Sequence, residues 1–198
     1  MGIVCIKVSG TFLKPDMVKE ARRALSEIHE EFGPTPMICV IGAGDQITGR
    51  MEEELEKQGE EYTPCFIGGK HLREARWLAE RDLRVAAYET LKHNAEQLRA
   101  MLDEMGIQAT VVIPAHEITY HAPDGEEVTD IAHSNADDWI EALLRNGLCR
   151  AIRILTEASR RTKKRNEFTD LAATYGEQED RPQLIDIKVI AVKSTASS

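Results

Sequence analysis

Lys7 stands in an otherwise apolar run, Ile3-Val4-Cys5-Ile6-Lys7-Val8, that ends in Ser9-Gly10. A second apolar run, Met37-Ile38-Cys39-Val40-Ile41, ends in Gly42-Ala43-Gly44-Asp45. Each reads as a buried strand followed by a small, flexible turn. Backbone N–H groups at such turns, backed by a helix N-terminus, hold phosphate oxygens. A lysine within reach adds a point charge for a phosphoryl group. Lys7, Ser9, Gly10, Gly42 and Gly44 therefore form a first candidate site, and phosphate handling is the chemistry they suggest. Phosphoryl transfer depends on positioning and electrostatics, so lysines and backbone donors suffice without a nucleophilic side chain. The plainer reading of Lys7 is a lysine snorkelling from a strand end.

Other candidates have competing readings. Gly42, Gly44 and Gly49 could form a plain strand-to-helix turn. A dinucleotide fingerprint would need its third glycine at position 47, which is Ile47, and it usually follows the first strand. Asp82 and Asp170 each lie near a predicted helix start, where a cap or dipole role explains them. Arg160-Arg161-Thr162-Lys163-Lys164-Arg165 reads as a solvated loop, or as side chains that bind phosphates. His116, His121 and His133 share a polar segment with Glu117, Asp124, Glu126 and Glu127, without metal-site spacing. Trp77 and Trp139 lie on predicted helices and read as packing residues. No Ser-His-Asp or Cys-His signature stands out.

The elements that must position these residues alternate between strand and helix. Val18, Ala21, Leu25, Ile28 and Phe32 recur at helical spacing, and Gly33-Pro34 ends that helix. Residues 37–41 are apolar on both faces, as in an interior parallel strand. Residues 52–61 read as an exposed charged helix or lid, and Gly68-Gly69 as a turn. A long helical region spans about 72–105, a candidate oligomer face, with Gly106 as its stop. Residues 109–114 form a strand. Residues 116–132, with Pro123-Asp124-Gly125, are a hairpin or a long loop. A helix over 134–145 carries Asp137 and Asp138 in its first turn, where they suit the dipole. Residues 149–155 are a strand, a short helix starts at Thr169, and 184–193 form the last strand. The alternation predicts an α/β fold with a largely parallel sheet.

Composition sets the outer bounds. The chain has 198 residues, with 42% apolar, 30% charged and a net charge of −9. That suits one α/β domain with a sizeable core. So acidic a chain is expected to repel nucleic acid and anionic membranes. No apolar run is long enough to cross a bilayer. The N-terminus enters a strand directly, so no signal peptide is expected. Cys5, Cys39, Cys65 and Cys149 form no C-x-x-C pair and read as free thiols in a reducing cytoplasm.

The order of motifs resembles the amino-acid kinase superfamily (aspartate, acetylglutamate and uridylate kinases), and within it the bacterial-type uridylate kinases. Ile6-Lys7-Val8-Ser9-Gly10-Thr11-Phe12-Leu13 is similar to the family's first-strand motif. Residues 40–50, ending Gly49-Arg50, resemble its second glycine turn. Arg81-Asp82 is similar to its Ala-Asp, and Phe168-Thr169-Asp170-Leu171-Ala172-Ala173 to its Thr-Asp-x-Ala-Ala helix start. There are three departures. No glycine follows the strand at 149–155, Ala43 replaces a usual glycine, and the sequence stops just after the last strand.

The resemblance implies a three-layer α/β/α sandwich of the amino-acid kinase type. Its acceptor-binding half spans about 1–150, and a shortened nucleotide-binding half about 151–198. It implies a cytoplasmic phosphotransferase moving the terminal phosphoryl group of ATP, with Mg2+, to a small anionic acceptor such as UMP. Lys7 and Asp170 would be catalytic. Ser9, Gly10, Gly42, Gly44, Arg50 and Asp82 would hold the acceptor, and Lys7, Thr169 and Asp170 the nucleotide. A homo-oligomer is expected, or assembly with a related kinase-like subunit whose site this chain completes. The departures support the alternative, a catalytically inactive protein that binds or stores a nucleotide or an oxyanion such as molybdate.

Overall fold

A computed structural model of the chain describes residues 2–42, 44, 50, 53, 66–67, 70–71, 81–133, 136–157, 161–178, 181–182 and 185–192. Within these, five parallel strands form one sheet in the order β11-β8-β1-β2-β5. They are β1 (Ile3–Ser9), β2 (Met37–Gly42), β5 (Ala109–Val112), β8 (Cys149–Glu157) and β11 (Asp186–Val192). Two short antiparallel pairs, β3 (Phe66–Ile67) with β4 (Lys70–His71) and β9 (Glu177–Gln178) with β10 (Arg181–Pro182), stand apart from it. The polar segment at 116–132 is a hairpin, with β6 (Ala115–His121) antiparallel to β7 (Glu127–His133).

Helices cover both faces of the sheet, because the strands are apolar on both sides. Val4, Ile6 and Val8 of β1 pack with α1 (Val18–Phe32) and α2 (Arg81–Glu104). In α1, Ala21, Ala24, Leu25 and Ile28 are buried at the spacing of one helical face. Burying side chains the size of Leu25 and Ile28 stabilises the fold by about 1.5–3 kcal/mol each. Gly33 ends α1, its N–H bonded to the His29 carbonyl. On the opposite face, Cys5, Val40, Ile152 and Ile154 pack with α3 (Ala136–Arg145) and α4 (Arg161–Gly176). This arrangement is the expected α/β architecture with a parallel sheet.

The strand order creates a switch point. From β1 the chain crosses toward β2 and β5 along one face. From β8 it crosses toward β11 along the other. The carboxyl ends of β1 and β8 lie where these two directions part, the topological position that ligands usually take in open α/β sheets. Lys7 of β1 is paired in register with Ile154 of β8 and Val40 of β2.

Several sequence expectations need correction. Residues 161–165 are not loop but the first turns of α4, so Thr169 lies inside that helix and does not start it. Arg and Lys are good helix formers, and the Lys163–Glu167 and Lys164–Glu167 pairs support the turn. Gly10 enters a buried 3-10 turn, Gly10–Leu13, so no α-helix N-terminus directly follows the first glycine turn. Trp139 is 40% exposed rather than packed inside. Cys5, Cys39 and Cys149 are buried free thiols, and burial pushes the Cys39 thiol up to about 12. The expected segment at 52–61, the Gly68-Gly69 turn, residues 72–80, Cys65 and Trp77 lie outside the described residues, apart from Glu53. Among the described residues, no helix is long and apolar enough to cross a membrane.

Candidate functional site

Four charged side chains meet beside the carboxyl end of β1. Lys7 Nζ donates a hydrogen bond to Asp137 Oδ1. Lys164 Nζ donates to the other oxygen of Asp137 at 3.2 Å and to Glu167 at 2.7 Å. Phe168 is fully buried beneath them, with its ring centroid 5.6 Å from Lys7 Nζ. A cation held over a ring face at this distance gains further electrostatic attraction.

Each member is placed by its element. Alternation along β1 turns Lys7 to the α3/α4 face, because Val4, Ile6 and Val8 take the other. Asp137 lies in the first turn of α3, three residues before the buried Ile140 and so on the helix face that meets the sheet. Lys164 precedes the buried Phe168 by four residues on α4 and shares its face. Both helices begin near the carboxyl edge of the sheet and bring the positive ends of their dipoles there.

Burial and charge act in opposite directions on this group. Burial lowers the Lys7 pKa below the ordinary lysine value and outweighs the attraction of Asp137. Burial alone would raise the Asp137 carboxyl, but Lys7 and Lys164 hold it below the usual range. Burial also works against the charge on Lys164, yet Glu167 and Asp137 raise its pKa. Side-chain exposure is 14% for Lys7 and 19% for Lys164, against 35% for Asp137 and 38% for Glu167. The two lysine side chains are thus the less exposed members of the group.

The glycine turns close around the same strand end. A Cβ on Gly42 would lie 3.8 Å from Lys7 Cε and 3.7 Å from Ser9 Cα. Gly44 has φ +66, and a Cβ there would come within 2.6 Å of the Thr11 backbone nitrogen. Only glycine permits this backbone approach. Ser9 Oγ is 3.3 Å from Thr11 Oγ1. Lys7, Ser9, Gly10, Gly42 and Gly44 are therefore gathered at one end of the sheet.

The remaining candidates lie elsewhere or have no contact with Lys7 among the described residues. Thr169 and Asp170 are exposed on α4, and the Thr169 hydroxyl donates to the Arg165 carbonyl at 2.8 Å. Arg50 is exposed and pairs with Glu53 at 2.7 Å. Asp82 is the second residue of α2, but its side chain lies outside the described part. Its neighbours tie that helix to the hairpin. Arg81 donates to the Thr129 carbonyl at 2.8 Å, and Arg84 forks onto Asp130 at 3.0 and 2.6 Å.

Sequence reasoning gives Asp137 only a helix-dipole role and Lys164 only a place in a basic run, read as a solvated loop or as phosphate-binding side chains, and it misses Glu167. The signal for the first two was their spacing to Ile140 and Phe168. As for metals, no group of three or more His, Cys, Asp or Glu side chains converges among the described residues. Asp137 is already shared between two ammonium groups, so the described side chains do not fit a Mg2+ cage. Lys7 and Lys164 are both donors with no acceptor capacity.

No family model matches the sequence, and no curated protein matches it. Among solved structures, the chain is similar to arginyl-tRNA synthetase from Plasmodium falciparum. The TM-score is 0.44 at 9% identity, covering 97% of this chain and 43% of that one. The chain thus spans less than half the length of that protein, and a likeness this weak carries no argument about function.

Proposed function

We propose that the chain is an ATP-dependent phosphotransferase of the amino-acid kinase type, acting on a small anionic acceptor such as a nucleoside monophosphate. The observation that carries this reading is the shared carboxylate. Asp137 holds Lys7 and Lys164 together at the switch point of a parallel sheet. Two fixed ammonium groups can meet the oxygens of a phosphoryl group as it passes from donor to acceptor. Preorganised charge of this kind, in a site partly shielded from water, stabilises the spread negative charge of the transition state. Lys7 serves the migrating group, and the turns at Ser9-Gly10 and Gly42–Gly44 supply donors and room beside it.

The test is ATP consumption with Mg2+ and a panel of nucleoside monophosphates and small carboxylates, compared with Lys7→Ala. Turnover that falls in Lys7→Ala by a larger factor than acceptor affinity supports the reading. Full turnover in Lys7→Ala overturns it. A second reading, anion binding without transfer, is favoured by the exposed position of Thr169 and Asp170. Among the described residues, neither touches the lysine pair. It predicts thermal stabilisation by an oxyanion with no ATP turnover.

A further inference from the structure

Glu167 occupies one donor of Lys164, the outer member of the lysine pair. Its carboxylate receives a hydrogen bond from Lys164 at 2.7 Å, and it is the most exposed of the four charged groups. The cluster is balanced, with two ammonium groups against two carboxylates. A phosphate dianion arriving here meets ammonium groups whose charge the two carboxylates already offset, and it gains the full attraction of Lys164 only when one carboxylate yields. Asp137 is poorly suited to yield. It has a short side chain in the first turn of α3, it is bonded to both lysines, and its departure would leave two ammonium groups facing each other.

Glu167 has a second cation within reach. Its longer side chain reaches Lys163 Nζ at 3.9 Å, and Lys163 lies on the exposed side of the same helix. A short rotation about its own side-chain bonds moves it from the inner lysine to the outer one. We propose that Glu167 is a built-in competitor for the anion site. It neutralises Lys164 while the site is empty and swings to Lys163 when a polyphosphate or other multivalent oxyanion binds. The inference rests on the reading of the lysine pair as an anion site, and it identifies that site's class of ligand as one that outcompetes a single carboxylate.

The experiment is calorimetric binding of inorganic triphosphate to the wild-type chain, Glu167→Gln, Glu167→Ala, Lys7→Ala and Glu27→Gln. Glu27 is a charge-matched control on α1, across the sheet from the site. Both Glu167 variants are expected to bind triphosphate about two- to fivefold tighter, the range that a surviving surface ion pair corresponds to. Lys163→Met should weaken binding more in the wild-type background than in Glu167→Gln, because only there does Glu167 need a second partner. Binding that is unchanged or weaker in both Glu167 variants, or an equal gain in Glu27→Gln, overturns the inference. If the wild type binds and Lys7→Ala does not, that failure leaves the anion site itself standing. If neither the wild type nor Glu167→Gln binds, the anion site and the competitor fall together.

Discussion

Asp137 accepts a hydrogen bond from Lys7 across 130 residues of sequence, joining the first strand of the sheet to the first turn of α3. The contact makes the position of a cation in β1 depend on a helix that forms much later in the chain. It also sets a sign for the acid response. The folded Asp137 carboxyl is held below its ordinary value, so its stabilising contribution is complete above the unfolded carboxylate pKa. That contribution is lost as pH falls through the lower folded value. Asp137→Asn is expected to cost about 1–2 kcal/mol at neutral pH, less than a fully buried pair because Asp137 is partly exposed. Urea denaturation should show this gap closing below about pH 4. A gap independent of pH would assign the loss to packing.

The alkaline limb belongs to Lys7. Burial lowers its pKa, whereas the pKa of Lys164 is raised, so Lys7 gives up its proton first as pH rises. Triphosphate affinity should therefore fall on the alkaline side before the ordinary lysine range is reached. Lys7→Arg keeps its charge throughout and should lack that limb, even if its affinity is lower. A limb that persists in Lys7→Arg assigns the titration to another group.

The two glycines of the second turn should separate binding from folding. Gly42 has ordinary contact distances for an added methyl, the nearest being 3.5 Å to the Val8 carbonyl oxygen. Gly42→Ala should fold with stability within about 1 kcal/mol of the wild type, while its methyl narrows the space beside Lys7 and weakens anion binding. Gly44→Ala combines a positive φ with a 2.6 Å approach to backbone. It should lose about 1–3 kcal/mol or more in denaturant titration. Equal stability of the two variants would contradict this description of the turn.

Asn94 is fully buried in α2, and among the described residues neither its amide nitrogen nor its oxygen has a hydrogen-bond partner. An unsatisfied buried amide costs about 1–3 kcal/mol. Asn94→Leu, of the same branched shape, should raise stability by about 1 kcal/mol, read from the shift in denaturation midpoint at constant m-value. Destabilisation instead would mean that the amide serves the folded state.

Much of the fold was legible because hydrophobic periodicity carries it. The stripe in α1 and the doubly apolar β2 follow from burial on one face and on two. The site was legible only in part. Lys7 drew notice as a lone charge in an apolar strand, and the glycine turns through their composition. Lys164 sits in a basic run open to two readings, solvated loop or phosphate-binding side chains, and its four-residue offset from Phe168 marks it as the inward member. Asp137 was explained by the helix dipole, and that local reading obscured its long-range contact. Pairings between residues far apart in sequence leave no periodic trace, so the Lys7–Asp137–Lys164 group became visible only in three dimensions.

The order of strands has a consequence for synthesis. β1 lies in the middle of the sheet, yet its register partners in β8 begin with Ile3 opposite Cys149. A growing chain emerging from the ribosome can pair β1 with β2 early, but the other edge of β1 stays open until β8 has been made. During that interval Val4, Ile6 and Val8 flank an uncapped row of backbone donors and acceptors, a template for pairing between nascent chains. The helices on the first face can form meanwhile, but the lysine in β1 acquires its carboxylate partner only with α3. A holding chaperone over this interval should therefore raise the yield of folded protein.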